Sequence, residues 1–513
     1  MEVPTANPSD PVYKLFDLMV VHNVGAVVIV EDKGPVGIVT ERDVIDRVLK
    51  QERDVEITTV REIMSSPLVT IESNKSIHEA IELLRTHDIR RIVVTENGKM
   101  IGLTTERMLL TRAHTVYLES TRGLNAGSVD SGIEKPVVAY LSTYPPRECG
   151  IATFTQDLVD SITKQQTLSP PVVAAINDKG GYYDYPVEVK LQVERDSQES
   201  FKAVAQRIND SGIDAINIQH EYSLFGGNWG EYLVSFMEEV DRPIITTLHT
   251  VLQDPPPDAE RAMADVLRLS DLVIVLARVG ARILEERYNI LPLKVRYIPH
   301  GCPNVPFVRS QTAKSGLGLE NRYVLSTFGL MSRGKGIEYA IKSLPEIVEK
   351  KPGVLYLVIG ETHPEVRKYE GESYRQSLFD LVSELGVENN VRFVNRFLSK
   401  SALIRFLQAT DTYILPYPNR DQISSGTMLY ALCTGKAIVT TPFLHAEEVI
   451  KEGAALRCEF RDPESIAGKV KTLIQSESLK DRCERRAYEY TRDKIWPNVA
   501  MKYINEVYKS LGM

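Results

Sequence analysis

FGLMSRGKGIEYAI, residues 328–341, reads as the end of a strand, a glycine-rich turn carrying two cations, and a helix starting near Ile337. Arg333, Lys335 and the amides around Gly334 and Gly336 are placed to neutralise a diphosphate at that helix start, where unpaired N–H groups and the helix dipole favour negative charge. Short apolar strands surround the stretch, at 323–327, 354–359, 391–394, 412–415 and 437–440, with helical patterns between them. An earlier series runs through 137–141, 215–218, 244–248 and 272–276. Alternation of this kind predicts parallel α/β sheets, and two such series predict two Rossmann-like halves with a ligand cleft between them. In open α/β sheets ligands sit at the carboxyl ends of strands, which directs attention to His220, Glu221 and His249. The first strand leads into STYPPRECGIAT (142–153), where Gly150 lets backbone approach a ligand before a helix from about Thr153.

The 513 residues carry 61 Lys and Arg against 69 Asp and Glu, a net charge of −8, so no general basic field invites nucleic acid. Five scattered cysteines without a CxxC pair argue against a disulfide framework and a zinc site. The opening MEVPTANPSD has neither a basic nor an apolar leader region, and no apolar run approaches the roughly 18 residues of a membrane span. The expected location is cytoplasmic.

Residues 18–47 align without gaps on residues 83–112, and the matches include Leu18/Leu83, Gly37/Gly102, Thr40/Thr105, Glu41/Glu106 and Arg42/Arg107. Each copy reads as helix, strand, tight turn, strand, helix. With GIVTERD at 37–43 and GLTTERM at 102–108, residues 1–114 resemble a tandem CBS-domain pair. The resemblance implies an adenine nucleotide, AMP or ATP, in a cleft between the copies, and a homodimer formed through the pair. It implies that the threonine hydroxyls, Thr40 and Thr105, face phosphate and that Asp43 accepts from ribose. Met108 stands where the second copy would need that carboxylate, so one dominant site is expected, not two. The Ser-, Gly- and Asp-rich stretch 115–135 reads as a linker.

Over 136–513 the ordered segments CGIATFT (149–155), TTLHT (246–250), SDLVIVLA (270–277), YIPHGCP (297–303), FGLMSRGKGIEYAI, LVIGETHP (357–364) and ALCTGKAIVTTP (431–442) resemble a retaining glycosyltransferase of the GT-B fold, family 4. The resemblance divides the region into an acceptor-side half at 136–310, a donor-nucleotide half at 311–490, and a C-terminal helix at 491–513 crossing back to the first half. That helix shows an apolar face of Trp496, Val499, Tyr503 and Val507.

The resemblance implies sugar transfer from a nucleoside diphosphate sugar, UDP- or GDP-linked, to a hydroxyl acceptor without a metal or other catalytic cofactor. Lys335 and His249 match its catalytic positions, and Arg333 takes the place of an arginine that is Leu330 here. His220 and Glu221 are candidates for the acceptor side, and His300 for shaping its turn. Of two glutamates usual in the family, the first is Gln422, and Tyr430 occupies the position that would accept from ribose. Ser424, Ser425, Gly426 and Thr427 add hydroxyls and consecutive amides at a helix start, completing the donor set with Gly150. Glu447 and Glu448 offer replacement carboxylates, although a helix's first turn favours glutamate in any case. A phosphorylase- or epimerase-like enzyme on the same scaffold and a non-catalytic nucleotide sensor are the alternatives.

Overall fold

The structure is a computed structural model that describes residues 4–105, apart from positions 23, 24, 33, 52, 88, 90 and 98, and residues 135–513 apart from 182. Met108 and all but the last residue of the expected linker lie outside the described residues. The chain divides into two compact units, Met1–Ile133 and Glu134–Met513.

The first unit builds the repeat twice. In one copy β1 (Thr5–Ala6) pairs parallel with β2 (Ala26–Glu31), which pairs antiparallel with β3 (Gly34–Thr40), and helix α1 covers Tyr13–His22. In the other, β4 (Thr70–Glu72), β5 (Arg91–Glu96) and β6 (Lys99–Thr105) repeat that order, with α2 at Ile77–Thr86. The antiparallel register slips between Ile29 and Val30 in the first copy and between Val94 and Thr95 in the second, which are equivalent positions. A bulge kept in both copies bends both hairpins alike. After β3 the helix Glu41–Val44 widens into a π-helical turn over Ile45–Leu49.

The second unit holds two parallel sheets. The strands of the N-half are β7 (Val138–Ser142), β8 (Val172–Asn177), β9 (Val189–Glu194), β10 (Ala215–His220), β11 (Ile244–Leu248), β12 (Leu272–Val275) and β13 (Val295–Tyr297), ordered β13-β12-β11-β10-β7-β8-β9. Those of the C-half are β14 (Tyr323–Phe328), β15 (Val354–Ile359), β16 (Val391–Val394), β17 (Thr412–Leu415), β18 (Ala437–Thr440) and β19 (Leu456–Arg457), ordered β16-β15-β14-β17-β18-β19. Each sheet turns back at its first strand, beside β10 or β17, so each has a crevice at that switch point. Strands such as AINIQH in β10 and VLYLVI in β15 are buried at every position, as helices on both faces require.

The helices that place the site are α3 (Gly150–Gln165), α4 (Arg278–Tyr288), α5 (Pro364–Glu370), α6 (Lys400–Gln408), α7 (Gly426–Cys433), α8 (Leu444–Lys451) and α9 (Trp496–Ser510). Helix α3 begins at Gly150 behind an extended Cys149, three positions before the expected start at Thr153. Glycine costs little there, because first-turn amides have no intrahelical partner to lose. Strand β10 runs on to His220 because Gln219 and His220 pair with Thr247 and Leu248 of β11. Along α9, Trp496, Val499, Tyr503 and Val507 pack against Tyr140, Phe154, Leu158, Ile245 and Ile274 of the N-half. Burying such side chains contributes about 1.5–3 kcal/mol each. The chain passes between the halves at two adjacent points, where Cys302 N donates to Lys494 O (3.0 Å) and Trp496 N to Cys302 O (2.9 Å).

Candidate active site

The glycine-rich turn after β14 folds back on itself. Gly329 has φ 132°, and a Cβ there would lie 3.3 Å from Thr427 Cγ2 and 3.8 Å from Lys335 Cε. Gly336, at φ 63°, would place a Cβ 2.1 Å from Pro416 O, so only glycine fits. This return lays Lys335 over Tyr417, with Nζ 2.9 Å from the Tyr417 hydroxyl and 4.6 Å from the ring centroid. Tyr417 OH lies 2.9 Å from Thr427 Oγ1 and 3.5 Å from Ser425 Oγ. Burial works to raise this phenol, but the Lys335 charge and the hydrogen bonds from Lys335, Ser425 and Thr427 together hold it below its ordinary value. A cation and three hydroxyls thus meet where α7 begins.

Ser425 caps α7, its hydroxyl accepting from Met428 N at 3.3 Å, as an N-cap serine does. Its own N–H donates to His445 Nδ1 at 3.0 Å. Burial, aided by His300 and Lys494, lowers His445 to about 3, so it is a neutral acceptor. A Cβ on Gly426 would lie 3.0 Å from His300 Nε2. His300 Nδ1 lies 2.7 Å from Gly301 O, fixing the ring over the start of α7. Ser424 is buried, and its carbonyl accepts from the exposed Gln422 amide at 2.6 Å.

Across the cleft, His249 follows β11. Its Nε2 lies 2.8 Å from Gln219 Oε1, which makes Nε2 the protonated nitrogen and leaves Nδ1 a lone pair. Burial, then His300 and His220, lowers it to about 3. Phe154 of α3 sets its edge against both His249 (4.7 Å) and His300 (4.8 Å). Nothing lies within 4 Å of a Cβ built on Gly150, so space over that residue is open.

Other sequence candidates fall outside this arrangement. Arg333 points its guanidinium to Glu370 (3.6 Å) and the Tyr374 ring (5.2 Å) and is 64% exposed, because the tight turn sends successive side chains in different directions. His220 is enclosed, its ring stacked on Phe225 at 5.7 Å and its Nδ1 unpartnered. Extending β10 by two residues drew it into the core. Glu221 accepts from Tyr222 N (3.0 Å) and the Thr250 hydroxyl (2.6 Å), and burial raises its carboxyl. Glu447 pairs with Arg420 at 3.5 Å, and Glu448 accepts from the backbone of Arg278 and Val279 at the start of α4. Neither supplies the missing carboxylate.

Tyr430 is committed as well. Its hydroxyl donates to Asp157 Oδ2 at 3.0 Å, and Lys400 of α6 pairs with Oδ1 of the same carboxylate. Asp157, Tyr417 and His445 are the residues the sequence reading passed over. A concavity of about 180 Å³ between Arg282 and Arg420 shares no lining residue with the Lys335 cluster. Among the described residues no group of three or more His, Cys, Asp or Glu is arranged to hold a metal, and no helix is long and apolar enough to cross a membrane.

In the first unit, Thr40 and Asp43 bond to each other. Asp43 Oδ2 accepts from Thr40 N (2.8 Å) and Oγ1 (2.6 Å), and Asp43 N donates to Thr40 Oγ1 (3.3 Å). That reciprocal pattern is a capping box for the helix after β3. Asp43 Oδ1 also lies 3.2 Å from Ser65 Oγ and from Arg47 Nη2. Thr105 ends β6 opposite Arg91.

Two parallel Rossmann-like sheets with facing strand ends are a GT-B arrangement, and solved structures agree. The Anabaena protein Alr3699/HepE, solved in complex with UDP, superposes with a TM-score of 0.58 at 15% identity over 72% of this chain and 99% of that one. The family of glycosyl transferases group 1 matches residues 309–490, and the CBS domain family matches residues 1–50 and 60–114. The CBS domain-containing protein YhcV of Bacillus subtilis is 35% identical over 102 residues, 20% of this chain and 72% of that protein. The D-inositol 3-phosphate glycosyltransferase of a Nocardioides species is 24% identical over 295 residues, 52% of this chain. The chain spans 62% of that protein's length and 57% of a Methanopyrus kandleri relative of the CBS region. The chain belongs to the CBS-domain proteins through its N-terminal pair and carries a glycosyl transferases group 1 domain on a GT-B fold.

Proposed function

We propose that residues 134–513 form a retaining glycosyltransferase that moves a sugar from a UDP- or GDP-linked donor to a hydroxyl acceptor. The meeting of Lys335, Tyr417, Thr427 and Ser425 at the start of α7 carries the reading. As the anomeric C–O bond breaks, charge collects on the departing diphosphate. The Lys335 ammonium and the first amides of α7 stabilise it there without reorganising. His249 stays neutral, its ring fixed by Gln219, and Nδ1 accepts from a sugar hydroxyl. The leaving phosphate oxygen takes the acceptor's proton. Arg333 is assigned no role in this reading, its guanidinium lying 3.6 Å from Glu370. The UDP bound to the Anabaena relative supports UDP as the carrier.

We further propose that AMP or ATP binds the CBS pair at Thr40 and Asp43, with Thr105 in the second copy, that the pair dimerises, and that the protein works in the cytoplasm. Release of UDP or GDP from a panel of donor sugars tests the activity, and the anomeric proton coupling of the product tests retention. Nucleotide binding without release would favour a nucleotide sensor. The engagement of Tyr430 by Asp157, which takes that hydroxyl from ribose, is the observation on that side.

A further inference from the structure

Strand β10 carries two amides, Asn217 and Gln219, into an apolar core, at 1% and 0% exposure. Side chains two residues apart in a strand share a face. The register sets Asn217 beside Tyr140 of β7 and Ile245 of β11, and Gln219 beside Thr247. Tyr140 and Ile245 belong to the core that α9 covers, and Tyr503 of α9 brings its hydroxyl to 3.2 Å from Thr247 Oγ1. Polar side chains in such a place are destabilising unless they bond to one another.

The amides form a row that ends at the cleft. Gln219 Nε2 donates to Asn217 Oδ1 and lies 3.5 Å from Thr247 Oγ1, while Gln219 Oε1 lies 2.8 Å from His249 Nε2. With its nitrogen turned to Asn217, the Gln219 amide offers the ring only its oxygen, so the ring proton sits on Nε2. The row is incomplete at its far end, where Asn217 Nδ2 is buried without a hydrogen-bond partner. An apolar residue there would avoid that cost, so stability does not account for Asn217. What Asn217 does is orient the next amide. His300 and His220 are the titratable groups that act on His249, and burial lowers both, so the row and not a neighbouring charge fixes the ring.

We propose that Asn217 and Gln219 are positioning residues that present His249 to the transferred sugar as a hydrogen-bond acceptor alone, and so select a neutral sugar over an acidic one. This rests on the glycosyltransferase reading. The Nδ1 lone pair takes a hydrogen bond from a sugar hydroxyl, whereas a carboxylate there meets it with lone pairs of its own.

The test is a nitrogen NMR spectrum of the full chain carrying nitrogen-15-labelled histidine, with the His249 signals assigned by their loss in His249→Asn. The parent should show the proton on Nε2 from pH 6 to 8. Asn217→Leu lets the Gln219 amide turn over, so the proton should spread to Nδ1. Asn217→Asp, whose carboxylate still accepts from Gln219 Nε2, should restore the parent spectrum. Gln219→Glu gives the orphaned Asn217 Nδ2 an acceptor and the ring a carboxylate, so His249 should take up a second proton near the ordinary value of about 6.5 or above. Turnover is then read as UDP release from UDP-glucose and from UDP-glucuronate. The neutral donor should exceed the acidic one by about tenfold or more in the parent, and by less in Gln219→Glu at pH 6, where the ring is charged. A proton on Nδ1 in the parent, a parent-like spectrum in Asn217→Leu, or equal turnover of the two donors would overturn the proposal. Turnover of neither donor would strike the glycosyltransferase reading, and the spectra would still decide the arrangement of the row.

Discussion

The Tyr430 hydroxyl donates to Asp157 Oδ2 at 3.0 Å, joining α7 of the C-half to α3 of the N-half through a carboxylate that is 3% exposed. Tyr430→Phe removes one donor from a buried acceptor and should destabilise the second unit by about 1–3 kcal/mol. A double-mutant cycle with Asp157→Asn, read by denaturant unfolding, should give a coupling of about 0.5–3 kcal/mol. Additive losses would show that the contact contributes nothing.

Lys335→Ala should lower turnover on the order of a hundredfold or more, with the unfolding midpoint little changed. Tyr417→Phe keeps the ammonium but frees its position, so its effect should be smaller. Near-normal turnover in Lys335→Ala would move the diphosphate elsewhere.

Burial lowers His220 to about 4 and His249 and His445 to about 3. Below the ordinary histidine value of about 6.5, the unfolded chain takes up protons that the folded chain refuses. Stability contributed by these neutral rings is therefore present above that value and lost as pH falls toward 4. The slope is up to about 1.4 kcal/mol per pH unit for each ring. Glu221 and Glu448 are shifted upward and oppose this, so the check is a difference. His445→Asn, whose amide oxygen still accepts from Ser425, should lose less stability between pH 7.5 and 5 than the parent. Equal losses would place the proton uptake on other groups.

Transfer should persist in excess chelator, because Lys335 already stands where an ion would offset the diphosphate charge. Activity that vanishes in chelator and returns with magnesium would assign that role to a metal.

Asp43→Ala should weaken AMP or ATP binding about tenfold, measured by calorimetry. It also removes the carboxylate half of the capping box, leaving the Thr40 N–H without its partner. Unchanged affinity would leave Asp43 with the capping role alone.

Strands β7, β10 to β12 and β14 to β18 and the glycine-rich turn were legible in the sequence because apolar runs and paired glycines follow from local chemistry, whereas β8, β9, β13 and β19 were not read. Asp157 was not, since an aspartate in mid-helix ordinarily faces water. Its one signal was position: it lies on the same helical stripe as Phe154, Leu158 and Ser161, all buried. Arg333 and Lys335 look equivalent on paper. Only the left-handed Gly336 decides that Lys335 turns back over Tyr417 while its neighbour faces Glu370. The loss of two family glutamates was readable, but the partner of Tyr430 was not, because Asp157 arrives on a helix of the other half, some 270 residues away along the chain.

Helix α9 closes one wall of the N-half core, yet it is translated after the entire C-half. A ribosome-bound chain therefore exposes Phe154, Ile245 and Ile274 through the whole synthesis of the second sheet. The domain that is begun first is finished last. A stop codon placed just before Trp496 would leave the C-half with its sheet and core helices and strip one wall from the N-half core.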